Sequence, residues 1–250
     1  MSCCGGKSGG RSRGRSRRIN RKKKVKAMVK KETAVELIIR TFKELDEFTG
    51  GEFVTLRNFD MIPELSSLKN DIDILCHKDI RPLMTKLGYK HHADKGYKYV
   101  YNAKPHIHFS RNSESGHGVH FDLVEGLFYK SLLEKNCFVR VHEDLQKWII
   151  ERRVKSDKCW IYQPSIVDQA VHLCCHAIFD KGVISNRYVQ KIQTLFLEAE
   201  STSYDYQTNE SRLLETLDRA FFKFAPKLVQ LVKNGQAESL YTEYKNFSEY

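Results

Sequence analysis

The sequence predicts an α+β fold: a small mixed β-sheet with flanking helices, followed by a helical C-terminal subdomain. Two patterns predict it. Between residues 32 and 140, short apolar runs of strand character alternate with helical ones and are separated by Gly, Asn, Asp and Pro. Beyond residue 140 the apolar residues recur at helical spacing, with little clear strand between them. A length of 250 residues with 41% hydrophobic content is enough for one sizeable domain or two small ones with a buried core.

The elements follow in order. Residues 1–31 are Gly, Ser, Arg and Lys with almost nothing to bury, a composition that predicts a disordered basic tail. Val35, Ile38, Ile39, Phe42, Leu45 and Phe48 then recur at helical spacing, and Gly50-Gly51 stops that helix. Phe53 to Leu56 reads as a short strand, Asp71 to Cys76 as a second, and residues 79–87 as a helix ending at Gly88. Three strand candidates follow at 97–102, 105–110 and 118–124, with turns at Asn102 to Pro105 and Asn112 to Gly118. Helices are expected at 143–154, 165–180, 184–199, 209–223 and 226–234. The expected organisation is a tail over 1–31, an α+β domain over 32–140 and a helical subdomain over 141–250.

Charge is distributed unevenly. The formal net charge is +11, yet residues 1–31 hold thirteen Lys and Arg and no acid. That leaves 29 of the 42 basic residues for 32–250 against all 31 acids, a balance of −2. The basicity therefore belongs to the tail, which suits nucleic acid through counterion release, a nuclear address, or an anionic membrane surface. Cys3 and Cys4 beside it suit a palmitoyl anchor, whereas Ser2 excludes N-myristoylation. No run of about 18 apolar residues occurs, so no transmembrane segment is expected, and the Gly-rich basic start predicts no secretory leader. Seven irregularly spaced Cys resemble neither a disulfide framework nor paired zinc ligands, which points to a reducing, intracellular and most simply cytoplasmic setting.

The chemistry-bearing residues are acidic. In Asp71-Ile72-Asp73-Ile74, strand alternation puts both carboxylates on one face and both isoleucines on the other. Like charges at that spacing repel, and a hard divalent cation such as Mg²⁺ turns the repulsion into attraction. In Val119-His120-Phe121-Asp122-Leu123 the same alternation places Asp122 and His120 opposite three apolar residues. Asp71, Asp73 and Asp122 together suit a site of two metal ions roughly 3.5–4 Å apart. Asp122 would there hold the ion that activates an attacking hydroxyl and take its proton.

On these residues the chain resembles the nucleotidyltransferase superfamily that includes DNA polymerase β and the CCA-adding and aminoglycoside-modifying enzymes. The matching stretches are Phe53-Val-Thr-Leu-Arg57-Asn58-Phe-Asp60, a loop with Pro63 and Ser66-Ser67, Asn70-Asp-Ile-Asp-Ile-Leu75, and the strand Val119 to Leu123. It looks most like the broad branch with a Leu-Arg-Asn/Gly and Asp-hydrophobic-Asp signature, whose later helices carry a segment like Leu173-Cys-Cys-His176-Ala-Ile-Phe-Asp-Lys181. The likeness covers residues 33–125 well and 160–200 loosely. It implies a nucleotidyltransferase-like sheet and transfer of a nucleoside monophosphate from an NTP, ATP among them, to an acceptor hydroxyl the sequence does not identify. It further implies Mg²⁺ or Mn²⁺ as cofactor on Asp71, Asp73 and Asp122, with Arg57, Asn58, His176 and Lys181 at the nucleotide. Strand spacing, apart from the resemblance, puts His120 and His108 behind the metals. One departure stands out. Many members carry Gly-Gly or Gly-Ser after the first strand, where backbone N–H groups hold phosphate, and here that position reads Leu56-Arg57-Asn58. Arg57 either replaces that cradle with a charged contact or marks a lost nucleotide site.

Rival readings stay open. One is a non-catalytic module of the same fold, tethered by its tail to nucleic acid or an anionic membrane. Another is a transferase of the same fold for a phosphorylated head group. His106, His108 and His120 with Asp122 have strand spacing suited to zinc or iron, or are polar residues of a half-open sheet. His172 and His176, four apart on a helix, suit a metal, although packing is the simpler reading for His172. Tyr97, Tyr99 and Tyr101 form an alternating aromatic face that suits cross-strand packing or base stacking.

Overall fold

A computed structural model describes residues 31–64, 71–93, 98–99, 107–132, 137–201 and 209–247. The tail over 1–30, the turn at Asn102 to Pro105, His106, Tyr97 and Tyr101 lie outside the described residues. Residues from Lys31 to Tyr250 form one compact unit.

The first helix, α1 (Ala34–Thr49), starts where the sequence supplies a capping box. The Thr33 hydroxyl accepts from the Glu36 N–H, and the Glu36 carboxylate accepts from the Thr33 N–H. The helix ends at Gly50, whose φ of 68° a residue without a Cβ adopts freely. Its buried face is Leu37, Ile38, Thr41, Phe42, Leu45 and Thr49. Val35, expected on the apolar stripe, is exposed instead, because the stripe running through 37, 41, 45 and 49 turns it outward.

Five strands form the main sheet: β1 (Phe53–Thr55), β2 (Ile72–Cys76), β3 (Lys90–Ala93), a fourth at Ile107–Asn112 and a fifth at Gly118–Val124. A two-residue strand, β4 (Lys98–Tyr99), intervenes in sequence, so the last two of the five are β5 and β6. Their spatial order is β1-β2-β6-β5-β3; only β2 and β6 run parallel. The small mixed sheet expected from sequence is therefore present. The strand expected at 105–110 runs on to Asn112, with 105 and 106 outside the described residues, the helix expected at 79–87 shortens to α2 (Arg81–Lys86), and β3 was not anticipated.

Alternation gives the sheet two faces. Phe53, Ile72, Ile74, Phe109, Phe121 and Leu123 point to one side and form a core with Leu37, Phe42 and Leu45 of α1 and with Leu83 and Met84 of α2. Phe121 contacts Phe42 and Tyr89 edge-on, with ring centroids 5.7 and 5.5 Å apart. Val54, Leu75 and Val124 point to the other side and join a second core built from the C-terminal helices.

Those helices are α3 (Glu143–Glu151), α4 (Ile166–Cys175), α5 (Asn186–Ser201), α6 (Asn209–Phe221), α7 (Ala225–Lys233) and α8 (Leu240–Lys245). The expected helix over 165–180 is divided. It is α-helical to Cys175 and continues as a wider π-helical turn, His176–Lys181, closed by a Gly182 N–H to Ala177 C=O bond of 3.1 Å. The region after residue 140 is also less purely helical than expected, since a hairpin joins β9 (Val154–Lys155) to β10 (Tyr162–Gln163). Before it, β7 (Phe128–Lys130) and β8 (Cys137–Arg140) form with β4 a three-stranded sheet of order β4-β8-β7. Among the described residues no helix is long and apolar enough to cross a membrane.

Candidate functional site

The second core leaves a gap at one end of the sheet, and the carboxylates line it. Asp73 and Asp122 precede Leu75 and Val124 by two residues, so alternation directs them to the same side as the helices. The parallel pairing of β2 with β6 makes Asp73 and Asp122 direct register neighbours. Both are nearly buried, with 7% and 8% of their surface exposed. Asp71 behaves differently. Strand β2 begins at Ile72, so Asp71 lies before the first paired residue and is exposed at the rim.

Two acids side by side in a poorly solvated place require compensation. Arg57 provides it. The Leu56 N–H donates to the Asp73 C=O at 2.9 Å, extending the β1–β2 ladder by one step and bringing Arg57 alongside. Its Nε and Nη2 both donate to Asp73 Oδ2, at 3.0 and 2.7 Å. Burial acts to lower the Arg57 pKa, but the charge and hydrogen bonds of Asp73 work the other way, and the net shift is upward. Asn58 follows at φ 57°, a left-handed conformation that asparagine tolerates, and leads into a short 3₁₀ turn, Phe59–Met61.

The third guanidinium nitrogen, Arg57 Nη1, lies 2.7 Å from His176 Nε2. A guanidinium only donates, so this nitrogen of His176 carries no proton and its Nδ1–H donates to Asp180 Oδ2 at 2.8 Å. Burial, with Arg57 nearby, lowers the His176 pKa more than Asp180 raises it, which keeps the ring neutral. His176 was expected at the nucleotide. It is buried behind Arg57 instead, and the π-helical turn that follows returns Asp180 to its ring. Asp180 Oδ1 in turn accepts from the Lys130 N–H of β7 at 3.2 Å.

The gap is a cleft of about 700 Å³, within the range of small-molecule sites. Asp71, Asp73, Asp122, Arg57 and Asn58 line the sheet side, and Lys181, Arg187, Tyr188, Lys191 and Thr194 line the helical side. Of these, Arg187, Tyr188, Lys191 and Thr194 were not singled out in the sequence. Their signal was present: Arg187, Lys191 and Thr194 are four and three apart, hence one stripe of α5, but such a stripe on an amphipathic helix reads equally as a solvated face. None of Lys181, Arg187 and Lys191 forms a salt bridge with a described carboxylate.

Five of the described histidines form two groups. His108 is the register neighbour of Asp122 on β5, with Nδ1 3.6 Å from Oδ1, and His120 is exposed opposite Ser110. His92 continues the row on β3, opposite His108, with its Nε2 2.7 Å from Ser110 Oγ. His172 is buried against Tyr129, whose hydroxyl lies 2.6 Å from Nδ1, and stacks on His176. With both His176 nitrogens already engaged, the pair spaced four apart does not converge on a metal.

The donor set fits a hard divalent cation in kind, since Asp73 and Asp122 offer adjacent carboxylate oxygens. Among the described residues, however, no three of His, Cys, Asp and Glu are grouped to hold a metal ion, and Arg57 occupies Asp73 Oδ2. Comparison with known proteins found no family model, no curated protein and no solved structure that matches the chain.

Proposed function

We propose that the chain is a metal-dependent nucleotidyltransferase that moves a nucleoside monophosphate from an NTP to an acceptor hydroxyl. One observation carries this reading: a single cleft has paired carboxylates on its sheet side and Arg57, Lys181, Arg187 and Lys191 within it. Carboxylates suit a divalent cation, and the cations suit the triphosphate that accompanies it. In the reaction the acceptor oxygen bonds to the α-phosphorus, the bond from that phosphorus to its bridging oxygen breaks, and pyrophosphate leaves. Lys181, Arg187 and Lys191 orient the phosphates and take up the leaving group's charge. Asp122 receives the hydroxyl proton at a carboxylate oxygen. When bound to Asp73 and Asp122, with Asp71 at the rim, a Mg²⁺ or Mn²⁺ ion would neutralise phosphate charge and acidify the attacking hydroxyl.

The test is pyrophosphate release from each NTP, with and without Mg²⁺ or Mn²⁺, across a panel of nucleic-acid, sugar and protein acceptors. Metal-dependent release that disappears in folded Asp122→Asn supports the reading. Release that persists in that variant contradicts it.

The Arg57–Asp73 ion pair also favours a second reading, a non-catalytic module of this fold that residues 1–31 tether to nucleic acid or an anionic surface. That reading expects salt-sensitive polyanion binding, lost on removal of the tail, and no metal-dependent product from any NTP.

A further inference from the structure

The placement of Arg57 has a consequence for how such a site would fill. Its guanidinium holds Asp73 Oδ2 through two nitrogens and reaches His176 through the third. His176 is itself fixed by Asp180, so the chain Asp180–His176–Arg57–Asp73 is a continuous run of hydrogen bonds ending on a carboxylate of the pair. A divalent cation on the same oxygen would sit against a guanidinium in a poorly solvated place, and the like charges exclude one another. Arg57 also lines the cleft together with Lys181, Arg187 and Lys191. A phosphate entering there competes with Asp73 for Arg57, because guanidinium pairs with phosphate as readily as with carboxylate.

We propose that Arg57 is a removable clamp on the carboxylate pair: it holds Asp73 while the cleft lacks nucleotide, and phosphate draws it off and opens Asp73 to a cation. The proposal rests on the nucleotidyltransferase reading and assigns that site its regulation. Cation and nucleotide then bind cooperatively, and by linkage each strengthens the other by the same factor. His176 and Asp180 are positioning residues. They contribute by fixing the third nitrogen of Arg57, so that the clamp closes on Asp73 rather than pointing into the cleft.

The test is Mn²⁺ binding to the full-length chain without nucleotide, followed by the electron paramagnetic resonance of the free ion. Arg57→Ala is expected to bind Mn²⁺ about tenfold more tightly than the wild type, within the usual range of coupling between sites. Equal or weaker binding overturns the clamp. The same gain must vanish in Arg57→Ala/Asp122→Asn; a gain that survives places the ion elsewhere and also overturns it. Should Arg57→Ala not fold, His176→Phe keeps the ring volume but removes the acceptor for Arg57. It is expected to shift Mn²⁺ affinity in the same direction by about threefold, and no shift is again contrary. Nucleotidyl transfer is measured separately. A gain in Mn²⁺ affinity without transfer from any NTP leaves the clamp standing and rejects the enzyme reading, whereas transfer without the gain rejects only the clamp.

Discussion

The two faces of the five-stranded sheet carry different kinds of residue, although the same strands supply both. On the face toward α1 and α2, the inward residues of β2 and β6 are apolar, as are Ile107 and Phe109 of β5 before Arg111 at its end, and Phe109, Phe121, Ile74 and Leu123 are almost wholly buried. On the face toward the C-terminal helices, Leu75 and Val124 continue as core, but two residues earlier the same strands present Asp73 and Asp122. Moving one residue along β6, from Phe121 to Asp122, crosses from one regime to the other. The first face is closed by packing. The second is held by charge, with Arg57 offsetting the acids that a purely structural strand pair would avoid.

That contrast can be broken most sharply at adjacent positions. Phe121→Ala should lower the unfolding free energy by about 4 kcal/mol, because the cavity lies among Phe42, Tyr89 and the strands and cannot collapse. Denaturant titration measures it, and a loss under about 1 kcal/mol would show that this face is not the main core. Asp122→Asn should do the converse. Stability is expected to change by less than about 1 kcal/mol, while metal-dependent transfer falls by about a thousandfold, which corresponds to ~4 kcal/mol of transition-state stabilisation.

On the helical side of the cleft, Lys191→Ala and Arg187→Ala should each weaken binding of a non-hydrolysable NTP by about tenfold or more, the scale of one charge-assisted hydrogen bond. Calorimetric titration reads this directly. Unchanged affinity in both would remove the cationic wall from the account.

A smaller effect is expected with pH. Burial holds the His172 pKa well below its ordinary value, with Arg57 and His176 adding to the shift. The unfolded chain therefore binds a proton near pH 6.5 that the folded chain refuses. The contribution to stability is complete above that pH and is lost as pH falls below it, by about 1.4 kcal/mol between pH 7.5 and 5.5. Thermal melts across that interval should show the fall, and His172→Phe should flatten it. A profile that His172→Phe leaves unchanged would assign the proton elsewhere. The smallest expected change is at the start of α1. Removing the capping hydroxyl in Thr33→Ala should cost about 1 kcal/mol, and leave nucleotide affinity where it was.

Much of this was legible in the sequence, and the gaps have physical causes. The α+β class, α1 with its stop at Gly50-Gly51, and the helical character after residue 140 all follow from local periodicity. So does the common face of Asp122 and His120. The register of Asp73 against Asp122 does not, because it depends on how two strands far apart in sequence are brought together. Asp71 reads as the twin of Asp73, yet one residue decides whether a side chain is inside the ladder or before it. Arg57 reads as a phosphate ligand; its pairing with Asp73 arises because the ladder extends to Leu56. The segment from His176 to Lys181 reads as a continuing helix, since the widening to a π-helical turn leaves the apolar spacing nearly unchanged. Strands β3, β7 and β8 are four residues or fewer, too short for alternation to declare itself.

The central claim is that one cleft joins metal-binding carboxylates to a phosphate-binding wall. A crystal of the full-length chain soaked with Mg²⁺ and a non-hydrolysable NTP tests it most directly. The account predicts electron density for a cation between Asp73 and Asp122, phosphates against Lys181, Arg187 and Lys191, and Arg57 released from Asp73. A nucleotide bound outside the cleft, or bound within it while Arg57 stays on Asp73 and no cation joins the two carboxylates, would contradict it.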